Sequence, residues 1–362
     1  MTAIQAAYGF ELQAPNSRLV RRQMVFADLR PDEVVVQVAG CGVCHTDVGF
    51  AFDNVPTRHP LPLILGHEIS GRVAAAGENA SAWVGRSVIV PAVIPCGVCP
   101  ACRAGRPTIC RQQFMPGNDG NGGFASHVLV PARGLCPVPE DLPGELRLEM
   151  LSVVADAITT PYEAIRRSGL GPEDVAVFVG VGGVGGFGVQ IAAALGAAVV
   201  AIDVDQKRLD LAAEHGAGLV LHAGSAETKS LRASIRSFVK ESGRTGLGLK
   251  IFETSGSKAG QVTAFGLLDH GAYLAVVGFT PQPAELRLSN LMAFDATARG
   301  NWGCPPDQYP AALQFVLDGK VALAPFIEMH SLEEAPEILE AVHRHAVDRR
   351  VILQPRDSKE LF

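Results

Sequence analysis

The clearest chemical signal in the sequence is a group of four cysteines that lies within fifteen consecutive positions. Four thiolates held close together bind zinc tetrahedrally and leave no coordination position open, which suits a structural role rather than catalysis. An iron–sulfur cluster is the main alternative, although the spacing before the fourth cysteine differs from that of ferredoxins. We therefore predict a structural zinc site in a lobe spanning about residues 95–112, with the ligands Cys96, Cys99, Cys102 and Cys110.

Two further segments carry residues that suit a catalytic metal. Residues 41–47 read CGVCHTD, and residues 66–77 read GHEISGRVAAAG. A catalytic zinc ion takes three protein ligands and keeps one position for water or substrate. Cys44 offers a thiolate and His67 offers an imidazole, so these two residues are predicted to bind a second zinc ion.

A third motif predicts a dinucleotide site. Residues 180–185, GVGGVG, fit the pattern G-x-G-x-x-G and stand between a predicted strand and a predicted helix. Such glycines allow a tight turn and a close approach to pyrophosphate, whose charge the helix N-terminus attracts. Asp203 ends the next predicted strand, where a carboxylate accepts hydrogen bonds from ribose hydroxyls and repels a 2′-phosphate. The predicted cofactor is therefore NAD, and the predicted cofactor-binding residues are Gly180, Gly182, Gly183, Val184, Gly185, Asp203 and Arg208. Arg208 offers a countercharge to a 2′-phosphate, which keeps NADP open as an alternative. The alternative is a glycine-rich corner with a surface aspartate.

The segments around these motifs follow two patterns, which together indicate an α/β fold. Residues 1 to about 150 contain short apolar or alternating runs between Gly and Pro residues, which predict a β-rich domain. From about residue 155, strands and helices alternate, which predicts a doubly wound parallel sheet. Predicted strands are 33–40, 69–77, 85–92, 125–132, 175–180, 197–204, 249–256, 271–279 and 350–355, and predicted helices are 184–196, 205–216, 307–317 and 333–345.

Composition narrows the class of protein. A length of 362 residues suggests about two domains, and 48% hydrophobic residues provide a large core. The net charge of −6 gives no electrostatic reason to bind nucleic acid or an anionic membrane, and it argues against a nucleic-acid zinc finger. The N-terminus does not resemble a signal peptide, so we expect a cytoplasmic protein in which clustered cysteines bind metal.

One stretch is membrane-like by charge alone. Residues 175–202 contain no Asp, Glu, Lys or Arg and are numerous enough to span a bilayer. Seven of these residues are glycines, clustered early, which favours a strand, a turn and a buried helix over a membrane span.

Taken together, these motifs resemble the zinc-containing medium-chain alcohol dehydrogenase family over essentially the whole chain. The pattern GHE-x2-G-x5-G is close to the zinc signature of that family, and the four-cysteine lobe matches its structural zinc loop. The resemblance implies a GroES-like catalytic domain over residues 1–157 and a Rossmann NAD-binding domain over residues 158–300. It also implies that residues 301–362 return to the catalytic domain, and that the chain forms homodimers or tetramers.

The resemblance implies a role for each residue around the open zinc site. Cys44 and His67 match the first two zinc ligands, and Glu68 matches an acid that approaches the metal when a ligand leaves. Asp47 matches a carboxylate that orients the zinc histidine. Thr46 matches the hydroxyl that takes the proton of the alcohol.

It also implies cofactor contacts beyond the glycine-rich turn. His45 matches a pyrophosphate contact, and the strands around residues 254–256 and 277–279 match those that hold the nicotinamide. The implied cofactor-binding residues are His45, Thr160, Thr254, Val277, Gly278 and Phe279.

The third ligand of the open zinc site departs from the usual pattern. Many family members have Cys at this position, whereas the present chain has Asp156. A carboxylate is a legitimate zinc ligand, and the formal charge of the site with zinc remains zero. We therefore predict two zinc ions per subunit, with Asp156 as the third open-site ligand. The alternative is that Asp156 caps the N-terminus of a helix without touching metal.

The substrate is predicted from a narrower resemblance. Residues 115–127 and 131–139 resemble the 6-hydroxycyclohex-1-ene-1-carbonyl-CoA dehydrogenases, which act in anaerobic aromatic degradation. That resemblance implies a secondary alcohol on a CoA thioester, with Arg58, Arg103 and Arg111 as candidate contacts for CoA. Alternatives are a generic aryl or secondary alcohol dehydrogenase, a zinc-free quinone or enoyl reductase, and a non-catalytic zinc-binding protein.

Overall fold

A computed structural model describes residues 7–26, 29–224, 227–244 and 248–356 of the chain. The chain divides into two compact units. Of the described residues, the first unit comprises those up to Asp156, together with Gly303–Leu313 and those from Ile327 to Arg356. The second comprises Ala157–Trp302 and Gln314–Phe326.

This division differs from the predicted one in the C-terminal segment, which does not return to the first unit in one piece. Residues 314–326 pack in the second unit instead. The Gln190 side chain accepts a hydrogen bond from Ala322 N at 2.7 Å and donates to Ala322 O at 3.3 Å. The rings of Phe187 and Phe326 lie with their centroids 5.5 Å apart. These contacts hold the segment against the helix that carries Phe187.

The elements of the described residues are numbered along the chain. The strands are β1 (Tyr8–Leu12), β2 (Val20–Gln23), β3 (Glu33–Gly42), β4 (Leu63–Ile64), β5 (Glu68–Ala76), β6 (Ser87–Val90), β7 (His127–Pro131), β8 (Cys136–Pro137), β9 (Val175–Val179), β10 (Ala198–Asp203), β11 (Leu219–His222), β12 (Lys250–Glu253), β13 (Tyr273–Val276), β14 (Thr297–Gly300), β15 (Ile327–Ser331) and β16 (Arg350–Gln354). The helices are α1 (His45–Phe52), α2 (Pro100–Arg103), α3 (Thr159–Ser168), α4 (Gly185–Ala194), α5 (Gln206–Glu214), α6 (Thr228–Glu241), α7 (Lys258–Gly266), α8 (Ser289–Ala293), α9 (Tyr309–Leu317) and α10 (Ala335–His343). Short 3-10 helices add Glu78–Trp83, Pro107–Ile109, Leu148–Ala155, Pro306–Gln308, Ala324–Phe326 and Leu332–Glu334.

The first unit is built on a largely antiparallel sheet of order β15-β16-β3-β5-β6-β8, with β7 also paired to β3. Its central pairing explains how two distant motifs meet. Strand β3 ends just before Cys44, and β5 begins just after His67. Because Gly42 pairs with Glu68 in the antiparallel register, the two motif segments leave the sheet at the same place.

A buried 3-10 helix, Leu148–Ala155, leads the chain back to that place. It packs closely on β3, since a Cβ on Gly40 would lie 2.4 Å from the carbonyl oxygen of Glu149. Glycine is therefore required at position 40. The next residue after this 3-10 helix is Asp156.

The second unit contains a parallel sheet of order β11-β10-β9-β12-β13-β14. Counted from β9 as the first strand, this is the doubly wound order 3-2-1-4-5-6. Strand β9 is the apolar run VAVFV and is buried throughout, as expected for a parallel strand covered on both faces. Ligands of such sheets bind at the carboxyl ends of the strands.

The uncharged stretch 175–202 forms β9, the glycine-rich turn, α4 and all but the last residue of β10, so it folds as a strand, a turn, a helix and a second strand. Across the described residues, no helix is both long enough and apolar enough to cross a membrane.

Candidate active site

The four clustered cysteines of the first unit form a compact group of thiols. Their sulfur atoms all lie within 4.8 Å of one another. The distance from Cys99 Sγ is 3.5 Å to Cys102 Sγ and 3.7 Å to Cys110 Sγ, and Cys96 Sγ lies 4.0 Å from Cys102 Sγ. Zinc–sulfur bonds of about 2.3 Å in a tetrahedron require sulfur–sulfur distances of about 3.8 Å. The group therefore has the dimensions of a zinc site.

The pKa values of these thiols also favour the binding of a cation. The main-chain N–H of Val98 lowers the pKa of Cys96 to about 6, so one thiolate forms readily. Desolvation and hydrogen bonds with neighbouring thiols raise the pKa of Cys102 to about 12. The thiols compete for negative charge, and a bound cation would remove that competition. No disulfide joins any cysteine in the part of the chain that the structure describes.

A second group of potential ligands lies where β3 ends, β5 begins and the 3-10 helix Leu148–Ala155 ends. Cys44, His67, Glu68 and Asp156 each place one ligand atom within 4.8 Å of the others. Asp156 Oδ2 lies 3.7 Å from His67 Nε2 and 3.9 Å from Cys44 Sγ. Ligands of these types around one zinc ion stand about 3.5 Å apart, so the group fits a metal after a small contraction.

Asp47 lies behind this group and is fully buried. Its carboxylate accepts hydrogen bonds from Cys44 N at 2.9 Å and Gly66 N at 3.1 Å, and its Oδ1 lies 3.2 Å from His67 Nδ1. This places Nε2 of His67 toward Cys44 and Asp156. Burial alone lowers the pKa of His67, but the charge of Asp47 and hydrogen bonds that the ring donates to neighbouring side chains raise it well above the usual range. Metal binding at Nε2 would therefore displace a proton.

The alternative prediction, in which Asp156 caps the N-terminus of a helix, is wrong. Asp156 follows the last residue of a 3-10 helix, and the N-cap of α3 is Ile158. Asp156 therefore caps no helix N-terminus, and its side chain lies beside Cys44 and His67.

Glu68 has a partner that the sequence did not reveal. Arg350, at the start of β16, donates from Nε to Glu68 Oε2 at 3.1 Å and pairs with Oε1 through a second nitrogen. Burial raises the pKa of Glu68 to about 7, although the positive charge of Arg350 opposes the rise. No motif surrounds Arg350. Its position depends on the pairing of β16 with β3, in which Ile352 faces Gly42.

The first residues of α1 continue the site. Thr46 Oγ1 lies 3.7 Å from Cys44 Sγ, so its hydroxyl is next to the group of ligands. His45 is exposed and stacks on His345, with ring centroids 5.7 Å apart and an interplanar angle of 25°. The stacking partner of His45 also lies outside any recognisable motif.

In the second unit, the glycine-rich turn connects β9 to α4. Gly180 has a φ of +88°, and a Cβ there would lie 2.4 Å from Cα of Ser255. A Cβ on Gly185 would lie 2.0 Å from the carbonyl oxygen of Gly180. Both glycines are therefore required. Gly182, Gly183 and Val184 lie between them, and Val184 is the N-cap of α4.

Asp203 ends β10 beside this turn and is buried. Its carboxylate accepts hydrogen bonds from Val181 N at 2.7 Å, Val204 N at 2.8 Å and Asp205 N at 3.0 Å. Arg208 lies on α5 with its Nε 3.9 Å from Asp205 Oδ2. The positive charge of Arg208 therefore already has an acidic partner.

The strands predicted over residues 249–256 and 271–279 are present as β12 and β13, but they end before the residues predicted to hold the nicotinamide. Residues 254–256 and 277–279 form the connections immediately after β12 and β13, because the pairing of these strands stops at Glu253 and Val276. They lie at the carboxyl ends of the sheet, where Thr254 Oγ1 donates to Gly180 O at 2.5 Å. The side chain of Phe279 is exposed.

Thr160 lies in the first turn of α3, within the second unit. Its carbonyl oxygen accepts a hydrogen bond from Asn301 Nδ2 at 3.2 Å. The sequence did not predict two of the contacts in this region. Asn301 follows β14, and Glu253 holds the turn at Ser255 through its Oε1.

Comparison with known proteins relates both units to dehydrogenases. A family described as "Alcohol dehydrogenase GroES-like domain" matches residues 30–140, and one described as "Zinc-binding dehydrogenase" matches residues 183–318. These matches and the sheet order confirm the predicted fold class, a GroES-like domain with a Rossmann sheet.

Similar proteins cover most of the chain. An alcohol dehydrogenase of Geobacillus stearothermophilus is 28% identical over 91% of this chain and 94% of its own length. An L-threonine 3-dehydrogenase of Stenotrophomonas maltophilia is 31% identical over 75% of this chain and 77% of its own length. The crystal structure of galactitol-1-phosphate dehydrogenase from Escherichia coli superimposes with a TM-score of 0.86 at 25% identity, covering 96% of this chain and all of that chain.

Proposed function

Because the chain belongs to the zinc-dependent medium-chain alcohol dehydrogenase family, we propose that Cys44, His67 and Asp156 hold the zinc ion at which it oxidises an alcohol with NAD. The chain is an oxidoreductase that acts on CH–OH groups, and its cofactors are zinc and NAD. The family assignment excludes a non-catalytic zinc-binding protein. The donor set of the open site argues against a zinc-free quinone or enoyl reductase.

The observation that carries the proposal is the convergence of three unlike ligands at one point. A thiolate, an imidazole and a carboxylate within 4.8 Å of one another suit zinc better than any other abundant divalent ion. The charges of Cys44 and Asp156 together balance a divalent cation. The charge of Glu68 is balanced separately by Arg350, so the site does not repel an anionic form of the substrate.

The residues around the ligands have separate roles in the proposed reaction. When bound, zinc supplies a Lewis acid that favours loss of the alcohol proton, and NAD supplies the hydride acceptor. Thr46, next to Cys44, holds a hydroxyl that can accept that proton and pass it on. Asp47 fixes the ring of His67, and the fixed ring keeps its Nε2 toward the ligand group.

We propose that NAD is preferred to NADP because Asp203 places a buried carboxylate at the end of β10. A 2′-phosphate beside that carboxylate would meet like charge. Asp205, whose Oδ2 lies 3.9 Å from Arg208 Nε, adds a second negative charge near this end of β10.

A finer proposal concerns the substrate. We infer a secondary alcohol carried on a CoA thioester, as in 6-hydroxycyclohex-1-ene-1-carbonyl-CoA oxidation, from the resemblance of residues 115–127 and 131–139. Of the candidate CoA contacts, Arg58 pairs with Asp119 at 3.3 Å, whereas Arg103 and Arg111 are exposed in the cysteine lobe. The second candidate is an alcohol without CoA, since similar proteins include alcohol dehydrogenases and a galactitol 1-phosphate 5-dehydrogenase.

One assay tests both levels of the proposal. NADH formation is followed with the cyclic alcohol as its CoA thioester, with the same alcohol as free acid, and with aryl and secondary alcohols. We expect turnover that requires zinc, with the highest kcat/KM for the CoA thioester. Equal kcat/KM for the thioester and the free acid would reject the CoA proposal and leave the alcohol dehydrogenase standing. Failure to form NADH with every alcohol would reject the zinc-site proposal.

A further inference from the structure

We propose that Tyr309 is a positioning residue that sets the place of Asp156, and with it the metal affinity of the open site; this inference rests on the proposed function. Tyr309 belongs to the first unit and is only 1% exposed. Its hydroxyl donates to the carbonyl oxygen of Ala155 at 2.6 Å. It also accepts a hydrogen bond from Ala92 N at 3.1 Å.

The location of Ala155 gives this contact its importance. Ala155 is the last residue of the 3-10 helix Leu148–Ala155 and directly precedes Asp156. Ala155 is fully buried, so its carbonyl is shielded from water. The Tyr309 hydroxyl provides a hydrogen bond at this point and fixes the direction of the carbonyl.

The direction of that carbonyl determines the position and orientation of Asp156. The peptide bond is planar, so the carbonyl oxygen of Ala155 and the Cα of Asp156 lie in one rigid plane. The backbone leaves the helical conformation at Asp156, with a φ of −142° and a ψ of −57°. Rotation of the plane would therefore move the Asp156 carboxylate away from His67 and Cys44.

The hydroxyl of Tyr309 is itself oriented. A tyrosine hydroxyl has one hydrogen to donate and also accepts. Because Ala92 N–H occupies the accepting side, the hydroxyl hydrogen is directed to Ala155. The two hydrogen bonds, from Ala92 to Tyr309 and from Tyr309 to Ala155, thus connect the segment just after β6 to the segment that carries the third ligand.

A second hydroxyl at the other end of the same helix provides a matched control. Ser70 Oγ donates to the carbonyl oxygen of Leu148 at 2.6 Å, and Ser70 is fully buried. Ser70→Ala and Tyr309→Phe therefore each remove one buried hydroxyl from the same segment. Of these two hydroxyl groups, that of Tyr309 bonds to the residue preceding Asp156, whereas that of Ser70 bonds to the opposite end of the helix.

The experiment compares wild type, Tyr309→Phe, Ser70→Ala and Asp156→Asn as full-length holoprotein. Zinc retained against a graded chelator measures affinity, with the four-cysteine site as an internal reference. Cobalt(II) substituted at the open site reports ligand geometry through its visible absorption. Thermal unfolding of each variant shows that it is folded and how much stability it has lost.

We expect Tyr309→Phe to weaken metal binding at the open site by about tenfold, the lower end of the range for outer-shell partners, and to shift the cobalt spectrum. Ser70→Ala should lower the unfolding temperature yet keep wild-type metal affinity and spectrum. Wild-type affinity and spectrum in Tyr309→Phe, or equal weakening in Ser70→Ala, would overturn the positioning role alone. Retention of both metals in Asp156→Asn would overturn the ligand assignment and this inference together.

Discussion

Arg350 and Glu68 form an ion pair inside the first unit, with Arg350 Nε 3.1 Å from Glu68 Oε2 and both side chains more than nine-tenths buried. The pair joins the first residue of β16 to the first residue of β5, which are 282 positions apart. It holds Glu68, a member of the ligand group at the open metal site, in one place.

Removal of Arg350 should therefore destabilise the protein strongly. Arg350→Met leaves a buried carboxylate without its cation, and breaking such a pair costs about 3–5 kcal/mol. We expect a loss of that size in the free energy of unfolding, measured by denaturant titration. The double variant Arg350→Met/Glu68→Met should recover most of the loss, because neither charge is then buried alone.

Arg72 supplies the control for this experiment. It pairs with Glu140 at 2.8 Å on the surface, with both side chains more than half exposed. Arg72→Met should change the free energy of unfolding by less than about 1 kcal/mol. If Arg350→Met and Arg72→Met lost similar amounts of unfolding free energy, the buried pair would not contribute more to stability than the surface pair.

Asp47 should control metal binding without being a ligand. Asp47→Asn replaces an acceptor at His67 Nδ1, and loss of such outer-shell partners typically weakens metal binding by about 10–100-fold. Competition with a chelator would measure the change, and the open site alone should lose zinc. Asp53→Asn, an exposed residue at the other end of α1, should bind zinc as wild type does. Unchanged affinity in Asp47→Asn would show that His67 is oriented by other contacts.

The choice of cofactor should depend on Asp203. In Asp203→Ser the repulsion of a 2′-phosphate is lost, and a gain of 1.4 kcal/mol corresponds to about tenfold. We expect the ratio of kcat/KM for NAD to that for NADP to fall by about tenfold. Asp210→Asn, which removes an exposed acid from α5, should leave the ratio unchanged. A wild-type enzyme that uses NADP better than NAD would refute this account of Asp203.

The four-cysteine site should contribute stability rather than chemistry. Cys110→Ser should reduce the zinc content by one ion per chain and lower the unfolding temperature. Saturating binding at a thousandfold excess over Kd stabilises a fold by about 4 kcal/mol, which sets the scale of the loss. Cys136→Ser, a buried thiol outside both groups, should keep the full zinc content. Elemental analysis and calorimetry would distinguish the two variants, and an unchanged zinc content in Cys110→Ser would argue against a zinc site in the lobe.

How far the sequence predicts the site depends on how local each feature is. The four cysteines and the turn at residues 180–185 are short patterns whose spacing alone limits their geometry. By contrast, Arg350 and Tyr309 are single residues with no surrounding motif, and each reaches its partner through contacts between distant segments. Such contacts depend on strand register and packing, which no short pattern encodes.

Asp156 stands between these two cases. Its position could be inferred only from resemblance, since the usual cysteine is absent, and its packing next to Cys44 and His67 was open to another interpretation. The division of the C-terminal segment was predicted incorrectly for a similar reason. No sequence pattern in residues 314–326 predicts their contacts with Gln190 and Phe187.

The most direct test of the account is the zinc content and NADH formation of Asp156→Asn beside wild type. Asp141→Asn, an exposed acid outside both metal groups, serves as the matched control. We expect two zinc ions per chain in wild type and in Asp141→Asn, and one in Asp156→Asn. Alcohol-dependent NADH formation in Asp156→Asn should fall by more than the roughly 100-fold at the upper end of outer-shell effects. Two zinc ions and wild-type activity in Asp156→Asn would contradict the proposed site.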